Sequence, residues 1–106
     1  LAAGRVVEAP VSTELADGMA CRVADQAALD LMVPYIDHIV KVSDAEVAQA
    51  MRDLYTDTHN VAEGAGAASF AAAMQERRQL QGLCVGTTLS GGNVDATVLA
   101  QVLQNS

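Results

Sequence analysis

Ser90-Gly91-Gly92-Asn93 is the stretch of this chain best equipped for chemistry. Ser90 offers a hydroxyl that donates or accepts, and Gly91 and Gly92 let a planar or anionic group come close to the backbone. The residues before it, Leu83-Cys84-Val85-Gly86-Thr87-Thr88-Leu89, are rich in β-branched side chains and too few for a comfortable helix, so they read as a buried strand. After it, Asn93 is predicted to cap a helix with Asp95 in its first turn and Val94, Val98 and Val102 at helical spacing. A strand, a glycine turn and a helix in that order put backbone N–H groups at the carboxyl edge of an α/β sheet, where ligands bind. The same residues also read as a plain tight turn with a cap, and the pattern alone leaves both readings open.

Other reactive side chains are less well placed. Glu63 sits among small apolar residues, where a carboxylate must find a partner or shift its pKa upward, and backbone amides are the simplest partners. Gly64-x-Gly66-x-x-Ser69 has the outline of a dinucleotide fingerprint, but it follows a helix rather than a strand and ends on serine. His38 and His59 have no companion at metal-ligand spacing and are read as structural, His59 near a helix end where a cation suits the dipole. Lys41, the one lysine, lies beside a capping signature and reads as a solvated amine; Arg77-Arg78 reads as a solvated helix end. Cys21 and Cys84 belong to no CxxC or Cys/His cluster and are expected to be buried, reduced thiols, so neither a disulfide framework nor a metal site is expected.

Several elements position these residues. Arg5 to Pro10 is compatible with a brief edge strand, and the stretch from Val11 to Arg22 reads as a loop with a turn at Asp17-Gly18. Asp25 is placed to cap a helix whose Leu29, Met32, Val33 and Ile36 share a face, with Pro34 ending or kinking it. Asp37 to Val42 alternates like a strand. Ser43-Asp44-Ala45-Glu46 is a capping box opening a helix with an apolar stripe of Val47, Ala48, Met51, Leu54 and Tyr55, ending near Thr56 to Asn60. A further helix is led by the small residues Val61 to Ser69 and closes on Glu76-Arg77-Arg78; small residues permit close approach of another backbone or a flat ligand. Helices alternating with strands predict an α/β layer arrangement with a parallel sheet. Two strands make a poor sheet alone, so residues 1–106 read as one incomplete unit of something larger.

Composition agrees with a packed domain, since 51% of the 106 residues are hydrophobic while only Tyr35, Tyr55 and Phe70 are aromatic. A net charge of −7 argues against a nucleic-acid partner or an anionic membrane surface, and no stretch has the length of a membrane span. These features fit a cytoplasmic protein. A start at Leu1 suggests a fragment or a processed chain.

Four segments together resemble one family: Leu15-Ala16-Asp17-Gly18-Met19-Ala20, Ile36 through Glu46, Glu63-Gly64-Ala65-Gly66-Ala67-Ala68, and Leu89-Ser90-Gly91-Gly92-Asn93-Val94-Asp95. In this order they look like the C-terminal part of the catalytic region of the threonine dehydratase and serine racemase family. These are fold-type II enzymes dependent on pyridoxal 5'-phosphate. The resemblance implies part of a larger three-layer, tryptophan synthase beta-like domain, with a parallel sheet flanked by helices. It implies that Ser90 hydrogen-bonds the pyridine nitrogen of the cofactor, that Asn93 secures this turn beside Gly91, and that Glu63 and Gly64 line the cofactor cleft, although the family often has proline where Gly64 stands. No segment resembles the family's Schiff-base lysine, its asparagine at the cofactor hydroxyl or its Gly-rich phosphate loop. Lys41 does not match the catalytic lysine, and the metal ligands of some members lie upstream.

The implied reaction is elimination of water from threonine or serine with release of a 2-oxo acid and ammonia. The implied partners are a hydroxyamino-acid substrate, the remainder of the polypeptide or a complementary chain, and a second copy in a homo-oligomer. A serine racemase or hydroxyaspartate dehydratase shares these motifs. A regulatory or binding domain that retained the turn, or a purely structural piece, are readings of another kind.

Overall fold

The computed structural model describes residues 13–19, 21 and 23–105. Among these it forms a 3-10 turn at Asp17–Met19 and four helices: α1 over Gln26–Met32, α2 over Asp44–Thr58, α3 over Gly64–Gln75 and α4 over Ala96–Gln104. The edge strand expected over residues 5–10 lies outside the described residues.

Local chemistry accounts for both ends of α2, whereas Asp25, Glu63 and Asp95 occupy the N-cap positions of the other helices without a side-chain cap bond. The α2 capping box is formed as its residues dictate: the Ser43 hydroxyl accepts from the Glu46 amide at 3.1 Å, and the Ser43 amide donates to Glu46 Oε1 at 2.9 Å. The helix stops at His59, which takes a left-handed conformation, φ 57° and ψ 30°, with its amide on the Tyr55 carbonyl. α1 begins after Asp25 and ends before Pro34, which has no N–H to continue the ladder. Only Leu29 of its expected apolar face is buried, while Met32 and Val33 are exposed and Ile36 is half-buried. α4 starts later than expected, because Asp95 rather than Asn93 occupies the N-cap position.

The core lies between α2 and α3. Val47, Ala50 and Met51 of α2 meet Ala62 ahead of α3 and Ala67 and Ala71 within it, and α4 adds Val102. Alanine on the α3 side lets the two helices approach closely, and the bulk comes from Met51 and Val47. The Arg52 guanidinium fastens α4 to α2 by donating to the Val102 carbonyl at 3.0 Å.

Two expectations are not met among the described residues. Residues 36–43 and 83–89 form no strand, and no sheet exists among the described residues. An extended segment becomes a strand only when its N–H and C=O groups find a ladder partner, and these two exchange no backbone bonds with each other. Leu83, Val85, Leu89 and Ile39 are left exposed as a result. Cys21 and Cys84 are likewise exposed instead of buried, Cys84 because it belongs to the unpaired 83–89 segment. None of the helices is long and apolar enough to cross a membrane among the described residues.

Candidate functional site: the serine-glycine turn on α3

The 88–91 segment lies on the N-terminal half of α3, held from both sides. The Ser69 hydroxyl donates to the Thr88 carbonyl at 2.7 Å. The Glu63 amide, at the N-cap of α3, donates to the Gly91 carbonyl at 3.0 Å. Between these anchors Gly66 lets the helix touch the turn: a methyl group on Gly66 would run into the Gly91 backbone. Downstream, the Val94 amide closes on the Gly92 carbonyl at 3.0 Å, bending the chain toward α4.

A second segment is seated on the start of α3. A methyl group on Gly64 would strike the Leu15 backbone, so residues 15–16 press directly on the helix. They are fixed in turn from α2: the carboxylate of Asp44 accepts from the Thr13 hydroxyl and, at 2.9 Å, from the Glu14 amide. The Thr13 hydroxyl oxygen also accepts the Ala16 amide at 3.0 Å. These donors hold the Asp44 carboxyl below its usual range, the Thr13 hydroxyl most strongly. The small residues leading α3 are therefore used for backbone approach, which is also what the Gly64-x-Gly66 spacing serves.

The Glu63 carboxylate stands between Gly91 on one side and Gly18 on the other; its Oε2 is 3.7 Å from where a Gly18 methyl would be. It is half-buried and makes no hydrogen bond to a described residue, so the backbone-amide partners expected for it are not its own: its amide, not its carboxylate, engages the turn. Ser90 is exposed with its hydroxyl uncommitted among the described residues, and Asn93 is exposed as well. Gly64 is buried.

The structure thus brings Glu63, Gly64, Ser90 and Gly91 to the N-terminal end of α3, and leaves Asn93 beyond the turn without a hydrogen bond among the described residues. Among the described residues, Ser69 and the Glu63 amide fasten the turn. Ser69 has no signal in its local pattern beyond its place on the small-residue face. Chemically, the cluster offers one neutral hydroxyl and one carboxylate next to exposed backbone, suited to a ring nitrogen or a polar group of a flat ligand. It contains no amine or thiol nucleophile. Lys41 is exposed on the 36–43 segment, and no group of three metal-ligating side chains is found among the described residues.

Comparison with known proteins gives the family of the chain. The model of the family described as pyridoxal-phosphate dependent enzyme matches residues 1–91. An L-threonine ammonia-lyase of Geobacter sulfurreducens is 34% identical over 102 residues, covering 95% of this chain and 25% of that protein. One of Thermotoga maritima is 32% identical over 94% of this chain and 25% of its own length. A catabolic L-threonine dehydratase of Staphylococcus aureus is 32% identical over 86% of this chain and 27% of its own length. The chain therefore spans about a quarter of the curated relatives it matches. With the family model covering most of its residues, the chain belongs to the pyridoxal-phosphate dependent enzymes.

Proposed function

We propose that this chain is the C-terminal portion of the cofactor-binding large domain of a hydroxyamino-acid ammonia-lyase, converting L-threonine to 2-oxobutanoate and ammonia. The observation that carries the reading is the Ser90-Gly91 turn, fastened on α3 beside Glu63 with the Ser90 hydroxyl uncommitted among the described residues. Similarity to L-threonine ammonia-lyases over most of the chain supports the choice of reaction.

The residues present fit one end of pyridoxal phosphate. A hydroxyl and a carboxylate without hydrogen-bond partners among the described residues are donors and acceptors of the right chemistry for the pyridine edge, whereas nothing in the cluster would take the phosphate or bond covalently to the aldehyde. In this proposal Ser90 hydrogen-bonds the pyridine nitrogen, with Gly91, Glu63, Gly64 and Asn93 forming or supporting the wall around it. When bound, the cofactor withdraws electrons from the substrate Cα. Ser90 moderates that pull, because a hydroxyl does not keep the ring nitrogen protonated as a carboxylate would, and prompt loss of the β-hydroxyl is favoured over other fates. The lysine, the phosphate loop and the substrate contacts belong to the rest of the protein. The 36–43 and 83–89 segments, with exposed Ile39, Val85 and Leu89, are proposed as strands of a parallel sheet that those parts complete.

The test is an assay of the full-length protein, loaded with pyridoxal phosphate, for 2-oxo acid release from L-threonine and L-serine. Release from threonine supports the lyase. Interconversion of L- and D-serine without net 2-oxo acid would make it a racemase, and no turnover together with no cofactor absorption would reduce the turn to a structural feature.

A further inference from the structure

His38 has a carboxylate on each ring nitrogen. Its Nδ1 is 2.6 Å from Asp37 Oδ2, and its Nε2 is 2.8 and 3.0 Å from the two oxygens of Glu76. A neutral imidazole carries one N–H, so it can donate to only one of these partners while its lone pair faces the other; the imidazolium donates to both. Asp37 and His38 belong to the extended 36–43 segment, and Glu76 is the C-cap of α3. A carboxylate at a helix C-terminus opposes the helix dipole, and a cation held against it offsets that conflict.

We propose that Asp37, His38 and Glu76 form a proton-operated clasp that fixes the 36–43 segment to the end of α3 when His38 is charged and loosens it when His38 is neutral. A second attachment shows what the clasp adds. Gln75 Nε2 donates to the Lys41 carbonyl at 2.7 Å and to Glu46 Oε2 at 3.0 Å, holding the same segment three residues further along without titrating near neutrality. The clasp therefore governs residues 36–40, while 41–46 stay attached in either state. Of the charged groups on the neighbouring stretches, Arg77 donates to the Met74 carbonyl at 2.9 Å, and Glu46 accepts from Ser43 and Gln75. Asp37 and Glu76 are the charges acting on the imidazole, and both raise its pKa above the usual 6.5, the Glu76 hydrogen bond most. The clasp is thus closed below that value and opens as pH rises through the raised one.

The experiment uses the full-length protein with ring-labelled histidines, the His38 signal being assigned by its absence in a His38→Asn variant. Titration between pH 5 and 9 is paired with hydrogen exchange of a peptide covering residues 36–40, corrected for intrinsic rates. The expected result is a His38 midpoint above 6.5, moved down by Glu76→Gln, with protection of the peptide falling several-fold across the same midpoint in the wild type alone. Should Glu76→Gln fold poorly, Asp37→Asn reads the other arm and must also move the midpoint down. A midpoint at or below 6.5, one that neither substitution moves, or protection that ignores the titration would each overturn the clasp.

Discussion

The amide of Glu63 donates to the carbonyl of Gly91 across 3.0 Å, and the bare Cα of Gly91 faces the Glu63 carboxylate. One residue thereby occupies the N-cap position of α3, fastens the serine-glycine turn and presents an acid beside it. The turn's geometry depends on α3 more than on its own sequence.

Gly66→Ala sets a methyl group against the Gly91 backbone, which cannot swing aside as a flexible side chain does. The strain of about 1–3 kcal/mol exceeds the helix-propensity gain of about 1 kcal/mol. Denaturant midpoints should fall, whereas Gly86→Ala, with open space around it, should leave stability within about 0.5 kcal/mol.

Ser69→Ala removes the hydroxyl that holds the Thr88 carbonyl. A stability loss of about 0.5–1.5 kcal/mol is expected, with faster hydrogen exchange in the 88–91 segment and none of that change within α2. A uniform change across both would mean that Ser69 supports the helix pair and not the turn.

Met51→Ala empties the largest fully buried side chain between α2 and α3. Equilibrium unfolding should show a loss of about 2–5 kcal/mol. Met51→Leu, close in volume, should cost less than about 1.5 kcal/mol.

Asp44 gives a pH dependence with a definite sign. Its folded pKa is lowered below 3.8 by the Thr13 hydroxyl and the Glu14 amide. Its contribution is therefore present above the unfolded value and lost as pH falls through the folded one. Thermal midpoints of wild type and Asp44→Asn should differ above the unfolded value and converge as pH falls through the folded one.

Ser90→Ala should raise the pyridoxal phosphate dissociation constant of the full-length protein about tenfold, the equivalent of one hydrogen bond. Ser90→Asp should instead change the visible absorption of the bound cofactor, because a carboxylate stabilises the protonated ring. Identical spectra and affinity in both variants would remove Ser90 from the cofactor site.

What could be read from the sequence was local. The Ser43 box and the Pro34 stop each need only a few neighbouring residues, and both stand where their chemistry puts them. α3 was legible as a helix with a small-residue face, but its start at Gly64 was not, since Val61 to Glu63 follow the turn rather than the helical pattern. The 36–43 and 83–89 segments carry strand composition without strand structure, because pairing is a property of partners and not of a segment. Asn93 and Asp95 are both competent caps, and spacing could not choose between them. At the site, Ser90 and Glu63 announced themselves by type, whereas Ser69 acts on the distant Thr88 carbonyl, Leu15 presses its backbone on Gly64, and Thr13 donates to the distant Asp44 carboxylate, contacts that no periodicity encodes.

The linker between α2 and α3 spans only residues 59–63. Closing so short a loop costs little chain entropy, and contacts of low sequence separation assemble early in folding. The helical hairpin can therefore collapse first and act as a template, with Gly64 receiving residues 15–16 and Gly66 receiving the 88–91 turn from opposite ends of the chain. Ordering of the turn then comes late, so a nascent protein still emerging during synthesis holds a finished hairpin before the serine-glycine turn has taken its place on α3.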